Sequence, residues 1–282
     1  MHVTSLPLAG MRVVTLALNV PGPMAAERLR DLGATVTKIE PPQGDPLELA
    51  SPVWYGELAA GVTVIKCDLK TPAGRAQLNE RLGDTDLLLT SQRPAALARL
   101  ELAWEALHVR FPRLCQVAMV GYAAPDQNVA GHDLTYLGSN GLLRPPALPA
   151  TLFADVAGSE QAALAAVAAL LARERTGVGQ YIEVAIAGAA RRLAAPYRAG
   201  LTAAGARLGG GFPGYNLYRT KDGWVAVAAL EPHFYQHLCQ QLGVTAPSYE
   251  AMAARFALET NAHWSRFAKE NDLPIAPVTQ HP

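Results

Sequence analysis

Cysteine is scarce in this sequence, and its spacing forms no recognisable motif. Cys67, Cys115 and Cys239 stand far apart, with no CxxC or CxH arrangement. An odd number at such separations argues against a disulfide framework and against a cysteine-ligated metal, and it predicts a reducing, cytoplasmic setting. Excess charge of either sign is lacking as well. The 24 basic residues offset the 24 acidic ones, and no basic run offers an electrostatic footprint for nucleic acid. No stretch reads as the roughly 18 consecutive apolar residues that cross a bilayer. The opening MHVTSLPLAG has neither the charged start nor the apolar middle of a secretory leader. The expectation is an intracellular protein with neither nucleic acid nor membrane as partner. Nucleotide fingerprints are missing too: the turn after the first hydrophobic run is NVPGPMAA rather than GxGxxG, and GxxxxGK[ST] does not occur.

What is present is a large apolar fraction, half of all residues, enough for one large domain or two modest ones. The first 120 residues alternate short β-branched runs with amphipathic segments. MRVVTLAL, ATVTKIE, VTVIKCDL, DLLLTS and LCQVAMVGY read as strands. GPMAAERLRDLG, TPAGRAQLNERLG, AALARLEL and AWEALHVRF read as helices, with Thr71 and Pro72 opening the second and Gly33 closing the first. Repeated βα units predict a Rossmann-like α/β fold with a parallel sheet, whose ligands sit outside the carboxyl ends of the strands. Residues 1–190 are the expected large α/β domain and 191–208 a glycine-containing linker. Residues 209–282 form a smaller α+β domain, in which YNLYRT and WVAVAAL make a hairpin about the turn KDG.

Several residues stand out within that frame. In GHDLTYLG, His132 and Asp133 fit a buried structural pair, a helix cap, a metal site or half of an acid/base apparatus. Asp155 ends the apolar stretch TLFAD before an alanine-rich helix, where a capping role is the commonest reading. Glu231 stands at a helix entrance, a place that favours a carboxylate without any catalytic duty. Lys38 and Arg93 lie at strand carboxyl ends, and Tyr136 reads as packing.

The order and spacing of LAGMRVVTLALNVPGPMAAERLRDLGATVTKIEPPQGDP, DLKTPAGRAQLNERLGDTDLLLTSQRP, GHDLTYLGSNG, LFADVAGSEQAAL, ERTGVGQYIEV and YRTKDGWVAVAALEPHFY carry a resemblance over nearly the whole chain. The sequence resembles the family III (CaiB/BaiF-like) coenzyme A transferases, a group that includes the 2-methylacyl-CoA racemases. The resemblance implies an acyl-CoA thioester as substrate, with coenzyme A entering as part of that substrate and no prosthetic group or metal. It implies Lys38 and Arg93 as coenzyme A contacts and an interlocked homodimer. On the racemase pattern, His132 and Asp155 are the two proton-transfer groups that inversion of an α-carbon requires, with Glu231 orienting the imidazole. Backbone N–H groups at the start of the helix after Asp155 would face the enolate oxygen. On the transferase pattern, Asp155 alone is the nucleophile of a covalent intermediate. Three departures from the family pattern keep a third reading, a catalytically degenerate acyl-CoA-binding paralogue. The segment before DLK supplies only Lys66, the loop between GSNG and LFAD is short, and the chain stops at PVTQHP, where relatives commonly continue with a helix returning to the large domain.

Overall fold

Proline marks where many of the helices begin. Pro21, Pro46, Pro52, Pro72, Pro94 and Pro232 each occupy a first helical turn, where the missing N–H has no intrahelical partner to lose and the fixed φ is already helical. The computed structural model describes residues 5–279 and divides into two compact units, one ending at Ala194 and the other beginning at Ala195.

The first unit runs β1 (Arg12–Thr15), α1 (Pro21–Asp31), β2 (Thr35–Glu40), α2 (Pro46–Ala50), α3 (Pro52–Ala59), β3 (Thr63–Lys66), α4 (Pro72–Leu82), β4 (Leu87–Thr90), α5 (Pro94–Arg99), α6 (Trp104–Arg110), β5 (Cys115–Val120), α7 (Asp133–Ser139), α8 (Phe153–Thr176), β6 (Tyr181–Ala185) and α9 (Ile186–Leu193). The six strands form one parallel sheet in the order β3-β2-β1-β4-β5-β6. β4 and β5 are buried at every residue, as strands covered on both faces must be. Alternation along β4 assigns the faces. Leu87 and Leu89 pack with Val13, Leu29, Met119 and Ala166, whereas Leu88 packs with Val14, Leu78 and Leu107.

The expected parallel sheet is therefore present, and Thr71 caps α4 by accepting from the Gly74 N–H at 3.1 Å. Three local expectations are corrected. TLFAD is not a strand, because Phe153 already begins α8 and Asp155 lies in its first turn. The segment after Pro41 holds α2 and α3, which had no element assigned to them. α8 contains an 18-residue window apolar enough to cross a membrane by length and composition. In this fold it packs on α1, α9, β5 and β6, with Ala162, Ala166 and Ala169 buried and Leu164 and Leu171 exposed. Small side chains on one face let the helix lie close to the sheet.

The second unit contains α10 (Ala195–Arg198), a tight glycine coil at Arg207–Gly211, β7 (Tyr215–Arg219), β8 (Trp224–Ala228), α11 (Pro232–Leu242), α12 (Tyr249–Phe256), α13 (Asn261–Glu270) and β9 (Ile275–Pro277). β7 and β8 form the expected antiparallel hairpin, with Arg219 opposite Trp224, and β9 joins β8 antiparallel. Their core is Tyr218, Val225, Leu238, Met252, Phe256 and Trp264. Helix α9 extends through Leu193, so residues 191–193 belong to the first unit's last helix rather than to a loose connection.

Candidate active site

The sheet order reverses between β1 and β4, and the crevice above that reversal is where an open α/β sheet exposes loop backbone to a ligand. The loops meeting there are cross-linked by side chains. The Leu18 N–H donates to Ser91 Oγ at 3.0 Å, Gln92 Nε2 donates to the Leu16 carbonyl at 2.6 Å, and the Asn19 N–H donates to Asp45 Oδ1 at 3.0 Å. Asn19 itself is held in the left-handed region at φ 63°.

A cavity of about 270 Å³ opens beside these loops, and His132, Asp155, Arg93, Tyr136 and Asn19 line it together. His132 is exposed and precedes α7, where its N–H donates to Thr135 Oγ1 at 3.0 Å. The structure thus brings three of the five sequence candidates, His132, Asp155 and Arg93, to one cavity. Arg93 is the residue before α5 and is exposed.

Asp133 has a definite structural task. Its Oδ1 accepts from the Ala154 N–H at 2.7 Å and the Asp155 N–H at 3.0 Å, so it caps α8 from 22 residues away. A carboxylate at a helix N-terminus satisfies donors that the helix cannot use itself. The Val156 N–H donates to the Leu152 carbonyl. These bonds correct the expectation that free N–H groups at the start of α8 would face an enolate oxygen, because the donors around Asp155 are already engaged. Besides His132 and Asp155, the polar residues lining the cavity are Asn19, Ser91, Arg93, Gln127 and Tyr136.

The Asp155 carboxyl is pushed up to about 6, first by burial and then by the nearby Asp133 carboxylate. Desolvation disfavours the charged form, and a like charge does the same. Tyr136 is buried, and its phenol is pushed up to about 12, first by desolvation and then by Tyr122 and Asp155. Its ring packs edge-on against Tyr122 at 5.1 Å. Room for that ring comes from two glycines: a Cβ on Gly131 would lie 2.4 Å from Tyr136 Cε1, and one on Gly121 would lie 2.5 Å from the Tyr136 hydroxyl oxygen. Tyr136 is thus a packing residue that also lines the cavity.

Lys38 requires a correction. Its side chain is 3% exposed and its ammonium pairs with Glu40 Oε1 at 2.8 Å and Asp45 Oδ2 at 2.5 Å. A buried ammonium held by two carboxylates is not available to a phosphate. Its role is to fix Asp45, which in turn holds the Asn19 and Leu47 N–H groups. Tyr55 donates to the same Glu40 oxygen at 2.5 Å. The signal for this arrangement was in the sequence as Gly44-Asp45-Pro46, an N-cap followed by proline, but its pairing with Lys38 was not.

Basic residues instead gather at a second cavity, of about 510 Å³, beyond the carboxyl ends of β1 to β4. Its walls are apolar (Leu16, Leu18, Ile39, Leu69, Leu100), and Lys70, Arg75 and Arg99 stand among them. These three cations were not singled out from sequence, because isolated basic residues on separate helices and loops give no run to notice. Glu231 belongs to the second unit, exposed, at the residue preceding α11.

An apolar slot edged by cations, which suits a large ligand with anionic groups, thus lies next to a cavity lined by Asp155 and His132. Comparison with known proteins fits this. The model of CoA-transferase family III matches residues 8–281, and the chain belongs to that family. It is 32% identical to human alpha-methylacyl-CoA racemase, over 96% of this chain and 77% of that protein. It is 29% identical to a succinyl-CoA–D-citramalate CoA-transferase of Chloroflexus aurantiacus, over 88% of this chain and 69% of the relative. The crystal structure of a hypothetical protein of Mycobacterium tuberculosis superposes with a TM-score of 0.83 at 26% identity, covering 97% of this chain and 84% of that one. The protein is therefore an enzyme of the family III racemase or transferase type.

Proposed function

We propose that this enzyme inverts the carbon α to the thioester of a 2-methylacyl-CoA by two-base proton transfer. The observation that carries the reading is that His132 and Asp155 line one cavity while Asp155 is pushed to about 6. A carboxyl in that range is populated in both protonation states near neutral pH, which a group that alternately takes and returns a proton needs. One of the pair removes the α-proton and the other delivers a proton to the opposite face. Tyr136 and Arg93, which line the same cavity, are the donors this reading assigns to charge developing on the thioester oxygen. The nucleotide end of coenzyme A takes the larger cavity, its phosphates meeting Lys70, Arg75 and Arg99. Coenzyme A serves as part of the substrate, and the reaction needs no prosthetic group.

The test is deuterium uptake at the α-carbon of a 2-methylacyl-CoA in heavy water, followed by mass spectrometry. Uptake by the native chain that disappears in Asp155→Ala supports the reading, and Glu231→Gln run alongside tests whether Glu231 takes part. Binding without uptake, together with a covalent acyl or coenzyme A adduct on Asp155, replaces it with the transferase reading, which the 29% identity to a CoA-transferase favours. Absence of binding leaves a non-catalytic relative. The same reading carries a cytoplasmic location and an interlocked homodimer; sedimentation as a monomer at micromolar concentration removes the dimer from it.

A further inference from the structure

Helix α8 takes its cap from another helix. The residue at its N-cap position, Leu152, supplies no side-chain acceptor, although an Asp, Asn, Ser or Thr there is the ordinary local solution. The acceptor comes instead from Asp133, the residue that follows His132 in the chain. One oxygen, Oδ1, takes both the Ala154 N–H at 2.7 Å and the Asp155 N–H at 3.0 Å. The other, Oδ2, is buried without a partner, and the carboxylate as a whole lies close enough to Asp155 to repel its charged form. An unsatisfied buried oxygen beside a like charge is costly, and capping by itself requires neither.

The His132 end of this connection is held as well. The His132 N–H donates to Thr135 Oγ1 at 3.0 Å and the Thr135 hydroxyl donates to the His132 carbonyl at 2.8 Å. Tyr136 and Leu137 anchor α7 against Ala154 of α8 and against Ile186 and Ala190 of α9. From the His132 backbone to the Asp155 backbone the path is therefore one peptide bond, one short side chain and one hydrogen bond. Inversion by two bases needs a proton-transfer group on each face of one carbon, with reacting atoms about 3–3.5 Å apart, and a misplacement of about 1 Å can cost about a hundredfold in rate. Resting on the two-base reading above, we infer that Asp133 is a positioning residue that sets the spacing of His132 and Asp155 across the α-carbon.

The test incubates one diastereomer of a 2-methylacyl-CoA with the full-length chain in heavy water and then separates the two diastereomers by chromatography. Deuterium in the recovered substrate records removal and return of a proton on one face, which a single base performs. Deuterium in the inverted product needs both bases. Expected for Asp133→Ala is a fall of about 10- to 100-fold in the ratio of inverted to returned label. Asp133→Asn, whose side-chain oxygen still accepts both N–H groups, restores most of that ratio. A smaller folded fraction lowers both labels together and leaves their ratio unmoved. Adding Leu152→Ser to Asp133→Ala supplies a local cap at an exposed residue; it should recover thermal stability and not the ratio. A native ratio in Asp133→Ala, or one recovered by the added cap, overturns the positioning role and leaves the two-base reading standing. A folded double variant that incorporates neither label overturns it too, since a lost spacing spares exchange on one face. A native chain that places no deuterium at the α-carbon removes the two-base reading itself, and this role with it.

Discussion

Asp155 couples reactivity to stability at a single side chain. Its folded-state value of about 6 lies above the ordinary aspartate value of about 3.9, so the folded chain holds that proton more tightly than the unfolded one. The stabilisation is fully present below about pH 4 and is lost as pH rises through 6. Two pH units at about 1.4 kcal/mol each bound the effect at roughly 3 kcal/mol. Asp155→Asn, which cannot ionise, should therefore gain about 1–3 kcal/mol over the native chain at pH 8 and almost nothing at pH 4. Urea denaturation at both values decides it, and an equal gain at the two would contradict the buried, repelled carboxyl described here. Gly131→Ala places a methyl against two rings at 2.4 and 2.9 Å and should destabilise by about 1–3 kcal/mol through overpacking. Loss of the Tyr122–Tyr136 edge contact would be visible in the aromatic region of an NMR spectrum.

At the scale of elements, α8 depends on a residue outside itself. Asp133→Ala strips the acceptor from the Ala154 and Asp155 N–H groups and should lower stability by about 1–2 kcal/mol, the usual range for a lost cap. Asp133→Asn keeps an acceptor but removes the charge. Its expected signature is a lower Asp155 titration midpoint, still above the ordinary value because burial is the larger cause. Carboxyl-resolved NMR titration separates the two variants, and an unmoved midpoint would show that the two carboxylates do not interact. The β1–α1 loop depends likewise on Asp45 from the β2–α2 loop. Asp45→Ala leaves the Lys38 ammonium with Glu40 alone and frees the Asn19 and Leu47 N–H groups. Breaking a buried pair from one side should cost about 3–5 kcal/mol and speed amide exchange at Asn19, which native-state exchange would record. Unchanged protection would deny the Lys38–Asp45 pair its hold on that loop.

For the whole molecule, the two units have separate cores. Phe256 is fully buried among Tyr218 and Trp264. Phe256→Ala should destabilise the second unit by about 3–5 kcal/mol while Asp155, in the first, keeps its raised titration midpoint. A shift of that midpoint in the variant would show that the two cores are coupled. The division of labour within the first unit follows from topology: β1 and β4 lie side by side but the chain leaves them in opposite directions along the sheet, so their loops leave a crevice where residues distant in sequence converge.

The sequence alone was enough for the alternation of strands and helices, the parallel sheet and the hairpin of the second unit, and it named His132 and Asp155 as candidates. Periodicity, N-caps and proline are local signals, and the motif spacing that carries the family resemblance is written along the chain. Only the tertiary structure decided that Asp133 caps α8, that Lys38 is locked to Glu40 and Asp45, and that Lys70, Arg75 and Arg99 share a cavity. Each of these depends on which side chains meet across loops and strands, and on how much water is left between them. Desolvation and the placement of charges are properties of the packed interior, which no stretch of sequence carries by itself.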